Sequence, residues 1–254
     1  MEIAEHIQVL DREGQLLAHA AEDAGPGATV STCPGWQVRD LLRHTGMVHR
    51  WAAAFITEGY TSPHPDGGLP DLDGAALLRW FREGHSALVT ALTEAPADLE
   101  CWSFLPAPSP LAFWARRQAH ETTVHRFDAE SARRSTGRVG IAAAFAADGI
   151  DELLLGFHGR RRSKVRTEKP AVLRVRTTDT GDAWTIRLSQ DAPVTTRDSA
   201  PGTARDGEVE ADCELSGPAA RVYLSLWNRL PAPQLTGDPA LARLWRETSG
   251  VTWS

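Results

Sequence analysis

A chain of 254 residues, 42% hydrophobic and 24% charged, has the composition of a globular protein long enough to bury an adequate core in each of two domains. Its net charge of −6 argues against a general polyanion-binding surface. No apolar run of about 18 residues occurs, and Met1-Glu2-Ile3-Ala4-Glu5-His6 lacks the basic start and apolar stretch of a signal peptide, so a cytoplasmic location and no membrane partner are expected.

Ile3, Ile7, Leu10 and Leu17 recur at helical spacing and predict a first helix that stops near Gly25-Pro26-Gly27. After the Pro34-Gly35 break, Leu41, Val48, Trp51 and Phe55 form the stripe of a second helix, with His44 inside it. Leu77, Phe81, Leu88 and Leu92 share one face of a third helix over about 73–93, which Asp73 can cap and on which His85 also lies. A fourth helix, over about 111–134, sets Trp114, Arg117, Glu121, Val124, His125 and Asp128 on neighbouring positions, a face too polar for ordinary core. Four such segments predict a four-helix bundle, a fold in which metal sites are built from inward side chains on facing helices. A further apolar helical segment, Ile141 to Phe157, precedes the basic run Arg160-Arg161-Arg162-Ser163-Lys164, read here as a solvated linker between domains.

The periodicity then changes from helical to alternating. Leu173, Val175 and Thr177, then Trp184, Ile186 and Leu188, predict two strands around the turn-rich Thr178-Asp179-Thr180-Gly181-Asp182. Val209, Ala211, Cys213 and Leu215 form another alternating set, with helices expected near 218–229 and 238–248. The expected fold is therefore α+β: a helical metal-binding domain over 1–160 and a smaller α/β domain over 165–254.

Glu121 and His125, four residues apart, project from one helical face about one turn apart, and a packed second helix could set His44 opposite them. Two imidazoles and a carboxylate leave one position of a tetrahedral zinc open, which is the catalytic arrangement. The plainer reading of Glu121 and His125 is an i,i+4 surface pair. His120 points about 100° away from Glu121, which makes it a packing or supporting residue rather than a ligand. His85 and Asp128 could each accept or donate to the far nitrogen of a ligating imidazole, or serve as core polar residues with local partners. His6, His19, His49, His64 and His158 have no comparable arrangement. Cys33, Cys101 and Cys213 are too widely spaced for a CxxC knuckle and suggest reduced structural thiols, although Cys33 beside Pro34 could be a nucleophile. No GxSxG elbow, Walker A loop or GxGxxG fingerprint is present.

At these residues the chain resembles the mycothiol-dependent maleylpyruvate isomerase family of actinobacterial metalloenzymes, whose N-terminal domain is similar to DinB-type bundles and whose C-terminal domain is sterol-carrier-like. The resemblance runs through Cys33-Pro34-Gly35-Trp36, Asp40-Leu41-Leu42-Arg43-His44, His120-Glu121 and His125-Arg126-Phe127-Asp128-Ala129-Glu130. It continues through Asp212-Cys213-Glu214-Leu215-Ser216-Gly217, Tyr223-Leu224-Ser225-Leu226-Trp227-Asn228-Arg229 and Thr236-Gly237-Asp238-Pro239-Ala240-Leu241. It implies that His44, Glu121 and His125 bind a divalent metal, normally zinc, whose open position accepts water or the thiol of mycothiol. It further implies that Arg229 binds substrate near the metal, in a chain that carries Asn228 where glycine is common. A cleft between the two domains is expected to hold thiol and substrate. The implied function is addition of an activated thiol to an electrophilic small molecule, by an isomerase or an S-transferase. A metal-dependent hydrolase and a non-catalytic small-molecule-binding protein are the alternatives.

Overall fold

The computed structural model describes residues 1–133, 140–198 and 210–251. Helix α1 (Ile3–Ala24) begins where the Glu5 carboxylate turns back to accept from the Glu2 backbone N–H at 2.7 Å, and it buries Leu10 and Leu17 completely. Helix α2 (Val38–Glu58) starts with the same device, Asp40 accepting from the Gln37 N–H at 3.0 Å, and it ends on left-handed Gly59. Helix α3 (Gly74–Glu94) starts at Asp73, as its sequence predicts. Helix α4 (Pro110–Ser131) has Ser109 accepting from the Ala112 N–H at 3.1 Å and a proline in its first turn.

The four helices bury Leu17, Leu41, Leu77 and Phe81 among their neighbours, each worth about 1.5–3 kcal/mol relative to exposure. Where α1 meets α3 only a glycine fits. A Cβ on Gly14 would lie 2.1 Å from Nε2 of His85, whose ring is held by the Leu10 carbonyl at 3.1 Å. The fourth helix is buried around its circumference rather than along one stripe, and its interior-facing residues include Arg117, Gln118, His120, Glu121, His125, Arg126 and Asp128. Arg126 donates to Glu13 at 2.7 Å and to Glu130 at 2.8 Å, so a buried ion-pair network ties α4 to α1.

The chain divides into two compact units, 1–138 and 139–254. The division falls earlier than the expected 160–165. Helix α5 (Ala143–Asp151), with its π-helical continuation Glu152–Phe157, packs on helix α6 (Ala219–Leu226) of the second unit, not in the bundle. An apolar stripe demands a partner surface but does not name it, so periodicity could not assign this segment. The basic run 160–164 therefore lies inside the second unit rather than between domains.

Strand β1 (Ala171–Thr177) pairs antiparallel with β2 (Ala183–Leu188), with Leu173 opposite Ile186 and Val175 opposite Trp184. The second unit's sheet has the order β3-β2-β1-β4-β5, in which β4 (Cys213–Gly217) runs parallel to β1 and the other neighbours are antiparallel. Strands β3 (Val194–Arg197) and β5 (Gln234–Gly237) had no signal in the sequence. Each is a four-residue edge strand largely open to solvent, so neither needs the alternation that marks a half-buried strand. Val209, from the third alternating set, lies outside the described residues. Helix α7 (Pro239–Thr248) is capped by Asp238, which accepts from the Ala240 N–H at 2.8 Å. Asp151 accepts from Trp184 Nε1 and from Arg197, each at 2.7 Å, and so fastens the end of α5 to the sheet. The described residues thus form an α+β fold, four helices and then a sheet with helices, in which no helix is long and apolar enough to cross a membrane.

Candidate metal centre

His44 reaches inward from α2, while Glu121 and His125 stand one turn apart on α4. Their ligand atoms all lie within 4.8 Å of one another. Glu121 Oε1 is 3.3 Å from His44 Nε2 and 3.2 Å from His125 Nε2. Two donors on a tetrahedral zinc, each about 2.0–2.1 Å from the ion, stand roughly 3.3 Å apart, so this donor set fits such an ion. Glu121 and His125 are 5% and 7% exposed, which rules out a solvated surface pair.

Supporting contacts orient each donor. Arg117, fully buried, donates to Glu121 Oε2 at 3.2 Å, which leaves Oε1 turned to the imidazoles. Asp128 Oδ2 is 2.9 Å from His125 Nδ1, an arrangement that aims Nε2 at the centre. Asp128 Oδ1 in turn accepts from Thr32 Oγ1 at 2.6 Å. Trp36 meets His44 edge to face, with ring centres 5.2 Å apart, and lies nearly parallel to His125 at 6.3 Å.

The electrostatics follow from these contacts. Burial would push the His125 pKa down, but its hydrogen bonds to Asp128 and Glu121 hold it up at about 9. Burial would likewise raise Glu121, and the hydrogen bond and charge of His125, then His44 and Arg117, outweigh it and keep the carboxyl well below its usual range. The carboxylates of Glu121 and Asp128 thus favour a positive charge at this point, whether a proton on His125 or a metal cation.

Of the candidate supporting residues, Asp128 is at the centre and His85 is not. His85 bonds the Leu10 carbonyl and lies against His49, and burial lowers its pKa. His120 is buried beside His6, with ring centres 6.1 Å apart. His49, passed over in the sequence, is fully buried with Nε2 2.9 Å from Thr122 Oγ1, and burial drives its pKa down. Thr32 and Trp36 were also missed as parts of the centre. Trp36 belongs to the Cys33-Pro34-Gly35-Trp36 motif, whereas nothing in the sequence marks Thr32.

Arg229 belongs to the second unit, where it is half-buried just past α6 and donates from Nη1 to the Trp227 carbonyl at 2.9 Å. The preceding Asn228 has φ +61, the left-handed conformation that explains a preference for glycine there and that asparagine tolerates better than most residues.

Thr32→Val should remove the hydroxyl that donates to Asp128 while leaving His44, Glu121 and His125 in place. Metal affinity is expected to fall by about tenfold. Competition of the variant with a chromogenic chelator measures this, and unchanged affinity would show that Asp128 holds His125 without Thr32.

No curated protein matches the chain. In fold, it is similar to the crystal structure of the mycothiol-dependent maleylpyruvate isomerase, with TM-score 0.58, and to that of a histidine-to-alanine variant of the same enzyme, with TM-score 0.59. In both cases 14% of residues are identical, and the likeness covers 89% of this chain and 88% of the other. In sequence, residues 8–130 match the family described as the mycothiol maleylpyruvate isomerase N-terminal domain, and residues 144–244 match the corresponding C-terminal domain. With both of its units matched in this order, the chain belongs to the mycothiol maleylpyruvate isomerase family.

Proposed function

We propose that the protein is a mycothiol-dependent enzyme that uses a divalent metal, zinc by its donor set, to add a thiol to an electrophilic small molecule. The observation that carries this reading is the convergence of His44, Glu121 and His125 at ligand spacing, a group of three among the described residues. Three ligands leave a position for an exogenous group, whereas a purely structural zinc normally takes four from the protein. Family membership supplies mycothiol as the thiol.

A bound metal would lower the pKa of the thiol, which otherwise lies near 8.5 and is mostly protonated at neutral pH. His44, Glu121 and His125 would hold it, with Arg117 and Asp128 fixing the carboxylate and the imidazole. Glu121 then serves as a ligand and not as a general base, because its charge and lone pairs are committed. The thiolate sulfur attacks the β-carbon of an α,β-unsaturated carbonyl, forming an S–C bond while the double-bond electron pair moves to the carbonyl oxygen. Rotation about the Cα–Cβ bond, now single, and expulsion of the same thiolate give the isomer; protonation at the α-carbon instead gives a stable conjugate. Arg229 would bind a carboxylate on the substrate, since a guanidinium can donate two parallel hydrogen bonds to it. A cytoplasmic setting accords with a low-molecular-weight thiol as partner.

Turnover of an α,β-unsaturated dicarbonyl by the zinc-loaded protein, with mycothiol present or withheld and beside a chelated control, tests the proposal. Rates at least about a hundredfold higher with both thiol and metal are expected. Equal rates without thiol would point to a hydrolase, and tight ligand binding without turnover would point to a carrier. Arg229→Lys is expected to lower kcat/KM by roughly tenfold or more at unchanged metal content, because lysine cannot reproduce the two-point contact. An unchanged kcat/KM would remove Arg229 from the site.

A further inference from the structure

Trp36 is joined to the metal centre more closely than packing of its own turn requires. Among the described residues it is the one non-ligand aromatic whose ring meets both imidazole ligands, His44 at 5.2 Å and His125 at 6.3 Å. Its backbone is locked on both sides: Trp36 N–H donates to the Cys33 carbonyl, and the Trp36 carbonyl accepts from Val30 N–H, each at 3.0 Å. A bridge between Thr29 and Gln37 closes the same turn. The turn is anchored a second time through Thr32, whose hydroxyl holds Asp128 and through it His125. Trp36 packs against the bundle core and is only partly buried. A rigid aromatic surface therefore stands beside the ligands with part of its area uncovered.

We propose that Trp36 is the wall on which a flat, conjugated electrophile lies when its polar end reaches the metal centre, so that this indole selects planar substrates over small saturated ones. The inference rests on the function proposed above. An indole already offset-stacked on His125 extends an aromatic surface onto which a second π-system can pack in the same offset manner. Such packing favours planar unsaturated carbonyl compounds and gives no advantage to a tetrahedral carbon chain.

Unreactive carboxylates separate this wall from the reaction. Benzoate and acetate carry the same metal-seeking group, and only benzoate carries a ring. Calorimetric titration of the zinc-loaded wild type, Trp36→Phe and Trp36→Leu should show the benzoate-to-acetate affinity ratio falling about tenfold in Trp36→Leu and less than about threefold in Trp36→Phe. Zinc content should stay at about one ion per chain in both variants. In turnover with mycothiol, Trp36→Leu should raise KM for a planar enone more than KM for iodoacetamide. An unchanged benzoate-to-acetate ratio in Trp36→Leu overturns the proposal, as does a wild type that binds benzoate no better than acetate. Loss of zinc from Trp36→Phe also overturns it, since the indole would then serve only to pack the ligands. A wild type that shows the ratio but no thiol-dependent turnover would instead sink the proposed function and leave the wall in place.

Discussion

Replacing His125 by alanine is expected to strip the protein of its metal, from about one divalent ion per chain to a trace, with affinity reduced more than about a hundredfold. His44→Ala should do the same, because each removes one of three donors whose atoms lie within 4.8 Å of one another. His19→Ala, at an exposed position of α1, should keep full metal content. Elemental analysis after dialysis against trace zinc reads all three. Full occupancy in both His44→Ala and His125→Ala would eliminate the site. The same centre sets a pH dependence. With its pKa held up at about 9, His125 carries a proton at neutral pH that a metal must displace. Apparent affinity should therefore weaken by up to about tenfold for each pH unit below that value, and metal uptake at neutral pH should release protons into solution.

Arg126→Met is expected to cost about 3–5 kcal/mol of stability. Arg126 and Glu13 are almost wholly buried, at 2% and 1% side-chain exposure, and their bond of 2.7 Å joins α4 to α1. Removing the guanidinium leaves a carboxylate buried with only the half-exposed Arg12 beside it. Desolvation then exceeds what a methionine side chain restores by packing. Adding Glu13→Leu to Arg126→Met should recover much of the loss, since a buried ion pair can be exchanged for apolar groups of similar size at little net cost. Urea unfolding of the single and double variants measures both effects. A loss below about 1 kcal/mol in Arg126→Met would mean that the pair is solvated and does not hold the two helices together.

The first three helices were legible from their apolar stripes, with a stop at Gly25-Pro26-Gly27 for α1, a break at Pro34-Gly35 before α2 and a cap at Asp73 for α3. Helix α4 was legible for the opposite reason, since a face bearing Arg117, Glu121, His125 and Asp128 has no explanation as ordinary core. Strands β1 and β2 announced themselves by alternation, and the register that sets Val175 opposite Trp184 keeps those side chains in the core. All of this is local information, carried by periods of 3.6 and 2 residues and by caps within one turn of them.

What the amino-acid sequence by itself determined, then, is the order and type of the main elements, and that Glu121 and His125 must share a helical face. Only the tertiary structure decided the rest. It brought His44 to Glu121 across 77 residues of chain and set Thr32 on Asp128 across 96. It placed the 143–157 segment in the second unit, gave His85 to the Leu10 carbonyl rather than to the metal centre, and added two edge strands with no pattern of their own. Periodicity states which side of an element must be buried, because that follows from backbone geometry alone. Which partner buries it depends on free-energy differences summed over many contacts between distant residues, and no local pattern contains that sum.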